Sequence, residues 1–287
     1  MGRTFRPLEP LRGWRRLAIH TWRPPRDPST YAQVDVPMRR ALDYCERVRR
    51  ETGVRVTVSH LAVKGVALAF RQFPQMNGFV ARNRIMIRNG VDIFMQVATG
   101  GGAELSGIKI SNAADRSVID IARECEERVA RLRARKDKQV ERTKGMLDRV
   151  PRWALGPMMR TLSWLIYDRD LDLSRFGVVK DEFGSAMVTN VGLWGITRAL
   201  APIVPFSRTT MVVLVGAVEE RVVPENGVPV VRPMLTLGVT YDHRFMDGWH
   251  GGEMARICVD YLKNPDAHDG VEAAEPLAVA AAATPSR

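Results

Sequence analysis

Residues 237–248 read Leu-Gly-Val-Thr-Tyr-Asp-His-Arg-Phe-Met-Asp-Gly and hold one histidine between two aspartates. The run from Leu235 to Tyr241 is apolar, as in a buried strand, and such a strand would place His243 where it ends. Histidine exchanges a proton near neutral pH, so His243 is a candidate general base. Asp247 can fold back beside His243 on a tight turn, which the backbone freedom of Gly248 permits. The alternative interpretation of this pair is a structural hydrogen bond without catalysis.

Strands and helices are predicted on both sides of this motif. Alternating or apolar runs predict strands at 31–36, 54–58, 84–87, 92–98, 105–110, 187–190, 210–218 and 232–241. Helices are predicted at 37–52, closed by Gly53, at 60–73, capped by Ser59, from Ser117 past Arg135, and at 250–262. Because the two kinds of element intermingle irregularly, the pattern favours a mixed α+β domain over a doubly wound sheet.

Composition narrows the class of protein. Of the 287 residues, 45% are hydrophobic, which is enough for a sizeable core. The 43 Lys and Arg exceed the 32 Asp and Glu, and the net charge of +11 suits an anionic ligand or a solvated surface. The three cysteines, Cys45, Cys125 and Cys258, are too few and too scattered for a disulfide framework or a zinc site, and we expect no metal. Without a signal peptide or an apolar run of ~20 residues, a cytoplasmic location is expected.

Four further segments carry a resemblance to one family. They are His60–Asn77 with Lys64 and a Phe-Pro-x-x-Asn end, Gly90–Thr99, Ser185–Gly192 followed by Gly195, and Pro202–Val218. In this order, and with His-x-x-x-Asp-Gly at 243–248, they resemble the catalytic domains of the 2-oxoacid dehydrogenase acyltransferases. The resemblance covers roughly residues 30–130 and 184–263. It implies a chloramphenicol acetyltransferase-like mixed sheet with flanking helices.

The resemblance also implies catalytic roles. His243 matches the base that takes the proton from an attacking thiol of coenzyme A or dihydrolipoamide, and the thiolate then attacks a thioester carbonyl. Thr189 matches the hydroxyl that donates a hydrogen bond to the resulting oxyanion; the family usually has serine there, and threonine keeps the donor. Asp247 matches the aspartate that holds the active-site loop through an arginine near the N-terminus, for which we favour Arg16.

Other motif residues receive supporting roles from the same resemblance. Asp242, Arg244 and Gly248 are interpreted as supports of the active-site loop, and Asn190 and Gly192 as coenzyme-binding residues. In this family the base and the oxyanion hydroxyl come from two subunits of a trimer. We therefore expect a homotrimer or a multiple of three.

The chain is predicted to have three parts: a basic arm at 1–29, the acyltransferase domain at 30–269, and a disordered tail at 270–287. No lipoyl domain is expected ahead of residue 30, so no covalent lipoyl group is expected in this chain. An insertion at about 136–184 interrupts the domain. Three interpretations of it stand: a helical hairpin packed on the core, a lid on an acyl pocket, or a membrane-touching surface at 150–167, which is the least favoured.

The leading prediction is an acyltransferase that moves an acyl group between a thioester and a thiol. Coenzyme A is the expected substrate, with acyl-coenzyme A or a separate lipoylated protein as partner. The alternative is a non-catalytic structural trimer or assembly component with a vestigial site. A nucleic-acid binder would fit the charge, but the sequence has no motif for reading nucleic acid, so none is expected as partner. The sequence names neither the acyl group nor the acceptor.

Overall fold

The computed structural model describes residues 27–99, 104–133 and 151–269. The strands are β1 (Ser29–Pro37), β2 (Gly78–Ala81), β3 (Arg84–Ile87), β4 (Ile93–Thr99), β5 (Glu104–Ile110), β6 (Ala186–Asn190), β7 (Met211–Val215), β8 (Glu219–Glu225) and β9 (Val228–Asp242). The helices are α1 (Arg39–Thr52), α2 (Val58–Gln72), α3 (Val118–Arg133), α4 (Arg152–Ser163), α5 (Gly248–Lys263) and α6 (Pro265–His268). The predicted arm up to residue 26, the glycines at 100–102, the start of the insertion and the tail lie outside the described residues.

The main sheet has seven strands, six of them in the order β1-β9-β7-β6-β4-β5, with β8 paired to β9. β6 runs parallel to both of its neighbours, β4 and β7, and the remaining pairs are antiparallel. A separate hairpin joins β2 and β3. The predicted class, an α+β mixed sheet with flanking helices, is confirmed.

One side of this sheet, which we call the helical face, is covered by helices. α2 packs against α5, and both contribute to a continuous apolar core with the strands. Removing this much apolar surface from water is the main force that holds such a domain together. The largest fully buried side chains of this core include Leu61, Phe70, Ile93, Ile121, Leu235, Met254 and Tyr261.

The other side, which we call the loop-covered face, has a much smaller core. Its buried members are Phe94, Met187, Val212 and Leu214. The cover includes Phe183 and the irregular segment 199–204 rather than a helix. The two faces of the sheet are thus covered differently, one by helices and the other mainly by an irregular segment.

Two glycines let the covering segment lie directly on the strands. A Cβ at Gly216 would collide with the carbonyl oxygen of Thr197, and one at Gly238 with that of Ala199. The amide of Ala217 then donates a hydrogen bond to the carbonyl of Ile196, 2.8 Å away. Neither glycine has a positive φ, so space rather than backbone conformation requires them.

The region before α2 corrects two predictions. Val54 and Val56 are buried, but residues 54–56 belong to no strand and the amide of Val56 donates to the carbonyl of Val54 at 3.1 Å, so the predicted strand at 54–58 is wrong. α2 begins at Val58 with Thr57 as its cap residue, and the Thr57 amide donates to Nδ1 of His60, 3.2 Å away. Ser59 therefore lies inside the helix and is not its cap. By contrast, Gly53 closes α1 as predicted, with φ of 73°.

The sequence prediction missed β2 and β8. β8 is charged, contains Pro224 and is largely exposed, so it lacks the apolar alternation that identifies a strand. It pairs with the first half of β9 through the turn Asn226-Gly227, where both residues have positive φ, 52° and 81°. Asn-Gly is the pair most typical of such a hairpin turn. β9 consequently begins at Val228 rather than at residue 232.

The described part of the insertion starts with α4, which packs beside residues 205–207 and continues into a π-helical turn, Trp164–Asp168. Tyr167 is buried, and its hydroxyl lies 3.0 Å from Oδ1 of Asp181 and 3.1 Å from the carbonyl oxygen of Ser207. Trp153 on α4 is 82% exposed. Across the described residues, no helix has the length and apolar character needed to cross a membrane.

Candidate active site

His243 lies in a short loop between the end of β9 and the start of α5. Two of the three residues between His243 and Asp247, Phe245 and Met246, are buried in the main core and anchor the loop. The amide of His243 donates to the carbonyl of Pro28, 2.8 Å away, which ties the loop to the residue before β1. The side chain of His243 remains exposed. A fixed backbone therefore presents a solvent-accessible imidazole.

One contact sets the tautomer of this imidazole. Nδ1 of His243 is 2.7 Å from the carbonyl oxygen of Met246. A carbonyl oxygen only accepts hydrogen bonds, so Nδ1 carries the proton and Nε2 of the neutral ring keeps its lone pair. Nε2 has no hydrogen-bond partner within the described part of the chain. The ring is thus oriented as a proton acceptor toward solvent, which is the state that a general base requires.

Asp242 and Arg244 bind each other within this loop. The carboxylate of Asp242 accepts from the amide of Arg244 at 2.9 Å, and from Nε and Nη2 of its guanidinium at 3.0 and 2.6 Å. Such a two-pronged, charge-assisted contact is geometrically specific. Asp242 is itself buried, so the pair fixes the backbone on both sides of His243.

Asp247 does not pair with His243, and the predicted fold-back on a tight turn is wrong. Asp247 is the cap residue of α5, where its Oδ1 accepts from the amide of His250 at 3.1 Å and from Nδ1 of that ring at 2.7 Å. Hydrogen bonds from the His250 amide and ring lower the pKa of Asp247 below its usual value. The helix start offers Asp247 several donors, and these outcompete the imidazole of His243, which the carbonyl of Met246 already binds.

Two other predicted supports have different outcomes. Gly248 is the first residue of α5 and is not among the glycines with positive φ, so the turn does not use its conformational freedom. Arg16, the predicted partner of Asp247, lies outside the described residues.

Thr189 lies on β6, far from His243 of the same chain. The sheet register aligns Thr189 with Leu214 on β7 and with Gly238 on β9. His243 follows Gly238 by five residues, about 16 Å along a strand, and two strand spacings of about 5 Å separate β6 from β9. One chain therefore does not bring the predicted base and the predicted oxyanion donor together. The Thr189 hydroxyl has no hydrogen-bond partner within the described part of the chain.

Asn190 and Gly192 have structural contacts. Nδ2 of Asn190 donates to the hydroxyl of Ser59 on α2 at 2.8 Å, and its Oδ1 accepts from the amide of Gly192 at 2.8 Å. A Cβ at Gly192 would meet the carbonyl oxygen of Gly216 at 2.5 Å. Both residues thus hold the end of β6 against its neighbours. Their role in coenzyme binding stays a prediction.

Sequence reasoning missed two groups that shape the site. The carbonyl of Met246 fixes the tautomer of His243, and the carbonyl of Pro28 holds its backbone. Backbone carbonyls have no signature in side-chain identity. The one sequence signal for the Met246 contact was the length of the loop. A loop of this length can bring the carbonyl of the third residue after His243 back to the His243 ring.

A cavity of about 790 Å³ opens beside the loop. Asp242 and Arg244, on either side of His243, line it, as does Pro28. Much of its remaining wall comes from α4 and from residues 203–209. Its size is within the range of small-molecule sites. Within the described ranges, no three His, Cys, Asp or Glu side chains are grouped as metal ligands would be.

Comparisons with known proteins agree on one family. The model of the 2-oxoacid dehydrogenases acyltransferase (catalytic domain) family matches residues 11–147 and 180–268 and leaves the residues between them unmatched. The chain is 26% identical over 226 residues to the probable dihydrolipoyllysine-residue succinyltransferase component of the 2-oxoglutarate dehydrogenase complex of Schizosaccharomyces pombe, covering 77% of this chain and 40% of that protein. It is 23% identical over 225 residues to the lipoamide acyltransferase component of the branched-chain alpha-keto acid dehydrogenase complex of Bacillus subtilis, covering 77% and 43%. The chain thus spans less than half the length of both relatives.

Solved structures show the same fold. The probable dihydrolipoamide acetyltransferase of Listeria monocytogenes matches with a TM-score of 0.61 at 20% identity, over 89% of this chain and 93% of that one. The truncated catalytic core of the 2-oxoacid dehydrogenase multienzyme complex of Thermoplasma acidophilum matches with a TM-score of 0.59 at 18% identity, over 91% and 100%.

Proposed function

The chain belongs to the 2-oxoacid dehydrogenase acyltransferases, as their catalytic domain, and from this premise we propose that it transfers an acyl group between a thioester and a thiol. The thiol is that of coenzyme A or of dihydrolipoamide on a separate protein. The single observation that carries this proposal is the exposed imidazole of His243, whose Nδ1 is bound to a carbonyl oxygen and whose Nε2 is free.

The proposed reaction begins when Nε2 of His243 takes the proton of the attacking thiol. The sulfur forms a bond to the thioester carbonyl carbon, and the carbonyl oxygen becomes an oxyanion that accepts a hydrogen bond from the Thr189 hydroxyl. Collapse of this intermediate breaks the original carbon–sulfur bond. The departing thiolate takes the proton back from the imidazolium, so His243 ends the cycle neutral.

A trimer, or a multiple of three, is part of the proposal. Support comes from the separation of His243 and Thr189 along the sheet, because an oxyanion donor has to lie about 3 Å from the oxyanion. A second copy is therefore needed to supply Thr189 to each His243. Exposed apolar side chains next to β6 provide surface for that contact. Leu193 is 74% exposed and Trp194 is 50% exposed.

We place the protein in the reducing cytoplasm. The cysteines are all free, and burial raises the pKa values of Cys125 and Cys258 to about 12, so neither is a reactive thiolate. In this proposal, the thiol that reacts belongs to the substrate, and no cysteine thiol of the protein takes part.

The central test is the variant His243→Ala assayed with acetyl-coenzyme A and dihydrolipoamide. Positioned base catalysis is worth about 10²–10⁴-fold, so kcat should fall by that factor while coenzyme A affinity stays near the wild-type value. His268→Ala, which removes an exposed histidine of α6, is the matched control and should keep full activity. Undiminished turnover in His243→Ala would overturn the role of His243 as the base, whereas no turnover by the wild type would favour the structural-trimer alternative.

The shared site has its own test by complementation. Thr189→Ala should lower kcat about 10²–10³-fold, and Thr189→Ser should preserve it. When His243→Ala and Thr189→Ala chains are mixed and reassembled, random trimers regain about a quarter of wild-type activity, because each mixed trimer contains one intact pair. If the mixture is no more active than either variant alone, the two residues do not form one site between copies.

A further inference from the structure

Arg208 is one of the residues that tie the insertion to the domain. Arg208 has a left-handed backbone, with φ of 54°, and its guanidinium reaches three separate elements. Nη1 donates to the carbonyl of Val80 on β2 at 2.6 Å, Nε to the hydroxyl of Ser163 on α4 at 3.2 Å, and Nη2 to Asp168 at 3.1 Å. α4 is therefore held in a defined position beside the active-site loop.

From this position α4 forms a wall of the cavity beside that loop. Met159 and Ser163 of α4 line the cavity together with Phe245 of the loop itself. The opposite walls come from the β2 strand and from residues 203–209. Since the family model has no match for α4, this wall belongs to the insertion rather than to the family's common core.

The lining of this cavity is mainly apolar. Its apolar side chains are Pro28, Phe79, Val80, Met159, Ile203, Pro205, Phe206 and Phe245. The half-buried or buried charges are neutralised locally, because Arg208 pairs with Asp168 and Asp242 pairs with Arg244. Two lining charges without an ion-pair partner among the described residues, Asp27 and Arg160, are exposed and opposite in sign.

We propose that this cavity is the acyl pocket of the enzyme, that it takes neutral acyl groups longer than acetyl, and that Met159 sets the length limit. The inference rests on the proposed function. A cavity of about 790 Å³ would be mostly unfilled by a two-carbon acyl group. An apolar wall whose less exposed charges, Arg208 and Asp242, are already paired favours an alkyl or aromatic chain over one that ends in a carboxylate, because a buried unpaired carboxylate is costly.

The test compares three coenzyme A thioesters, acetyl, hexanoyl and adipoyl, on the full chain. Hexanoyl and adipoyl have the same chain length and differ in the terminal carboxylate. We expect kcat/KM for hexanoyl to exceed that for each of the other two by about tenfold, the effect of filling an apolar pocket by a few methylenes. Met159→Trp should reduce the hexanoyl-to-acetyl ratio by about tenfold. Met158→Trp, the neighbouring methionine outside the lining, should keep the wild-type ratio.

Binding measured by calorimetry distinguishes failure of the proposed acyl transfer from failure of the proposed acyl pocket. Hexanoyl-coenzyme A should bind more tightly than coenzyme A to wild type and to His243→Ala, and this difference should shrink in Met159→Trp. Binding of this kind without any turnover would overturn the proposed function and retain the pocket. The pocket assignment would be overturned by equal kcat/KM values for acetyl and hexanoyl, or by a higher kcat/KM for adipoyl. It would also be overturned if Met159→Trp and Met158→Trp had the same hexanoyl-to-acetyl ratio.

Discussion

The two faces of the main sheet differ in how completely one chain covers them. On the helical face, α2 and α5 bury a continuous core, and residues such as Phe70 and Leu235 have no exposed surface. On the loop-covered face, the buried cluster within the described ranges has four side chains, and the cover is an irregular segment. The difference indicates that the helical face supplies most of the stabilising core of the single chain, and it makes the loop-covered face the candidate for the proposed contact with a second copy.

The residues next to the cover have the exposure expected of an interface. Leu193, Trp194, Ile196, Leu200 and Phe206 are all large, apolar and at least 40% exposed. They belong to the same stretch of chain, which runs from the end of β6 across the loop-covered face. An exposed apolar cluster of this kind marks a contact surface more often than a solvated one. Thr189 lies directly before this stretch, so the proposed oxyanion donor sits at the margin of the same surface.

The largest expected effect tests the helical face. Phe70→Ala should lower the free energy of unfolding by about 3–5 kcal/mol, the usual loss when a fully buried aromatic ring leaves a cavity. Chemical denaturation at fixed protein concentration measures it. Phe176→Ala, which removes a ring that is 62% exposed, should change the free energy of unfolding by less than about 0.5 kcal/mol. Equal losses in the two variants would contradict the assignment of the stabilising core.

The next effect concerns a titrating group on the same face. Burial, with a smaller effect of Arg55, lowers the pKa of His60 to about 4, whereas an unfolded histidine has a pKa of about 6.5. Between these values the unfolded chain binds the proton and the folded chain does not, so stability falls as pH drops from 6.5 to 4, by roughly 3 kcal/mol in total. Stability above pH 6.5 should not depend on this group.

The matched variant for that effect is His60→Gln, because glutamine can accept the hydrogen bond from the Thr57 amide and does not titrate. Unfolding curves from pH 7.5 to 4 should show the wild type losing stability relative to His60→Gln. Parallel curves would mean that His60 is protonated in the folded protein.

A smaller effect tests how the loop-covered face is closed. Gly238→Ala should cost about 1–3 kcal/mol of unfolding free energy, because its Cβ would push the Ala199 carbonyl off the sheet. Gly252→Ala is the control, since a Cβ there meets no atom within 4 Å and the site is helical and exposed. That change should instead stabilise α5 by about 0.5–1 kcal/mol. A stabilising Gly238→Ala would show that the covering segment does not lie as close as described.

The smallest expected effect on stability is the most informative about assembly. Leu193→Ser should change the unfolding free energy of the separated chain by no more than about 0.5 kcal/mol, because this side chain is mostly exposed. The same change should weaken the trimer, as measured by light scattering over a dilution series. Leu171→Ser, on the insertion, should leave the assembly intact. An unchanged dilution profile in Leu193→Ser would remove this surface from the interface.

Sequence reasoning predicted the helical face well because its signals are local. The apolar run before His243 and the periodic pattern of α2 each occur within one short window, and both elements formed near their predicted positions. The loop-covered face depends on contacts between distant segments. Gly216 and Gly238 look like ordinary strand glycines until residues 197–199 are laid over them.

Within the site, the sequence indicates which ionisable side chains lie in the loop, but it does not indicate their hydrogen-bond partners. The motif predicts His243 as a base, and this role stays a prediction; its ring partner is a backbone carbonyl, and the carboxylate of Asp247 binds His250 instead. The choice depends on where α5 begins, since the first residue before a helix is surrounded by free amide donors. A shift of one residue in that start would change the partner without changing the motif.

The separation of His243 from Thr189 along the sheet sets the kinetic order of the proposed enzyme. In the proposed trimer a single chain would hold two halves of a site that face different neighbours, so the number of working sites would grow faster than the number of chains until assembly is complete. Specific activity would then fall when the protein is diluted below the dissociation constant of the assembly. In a cell, activity would appear only once expression exceeds a threshold concentration. If the proposed shared site is correct, the geometry of one strand register would link the amount of this protein in a cell to whether it has any activity.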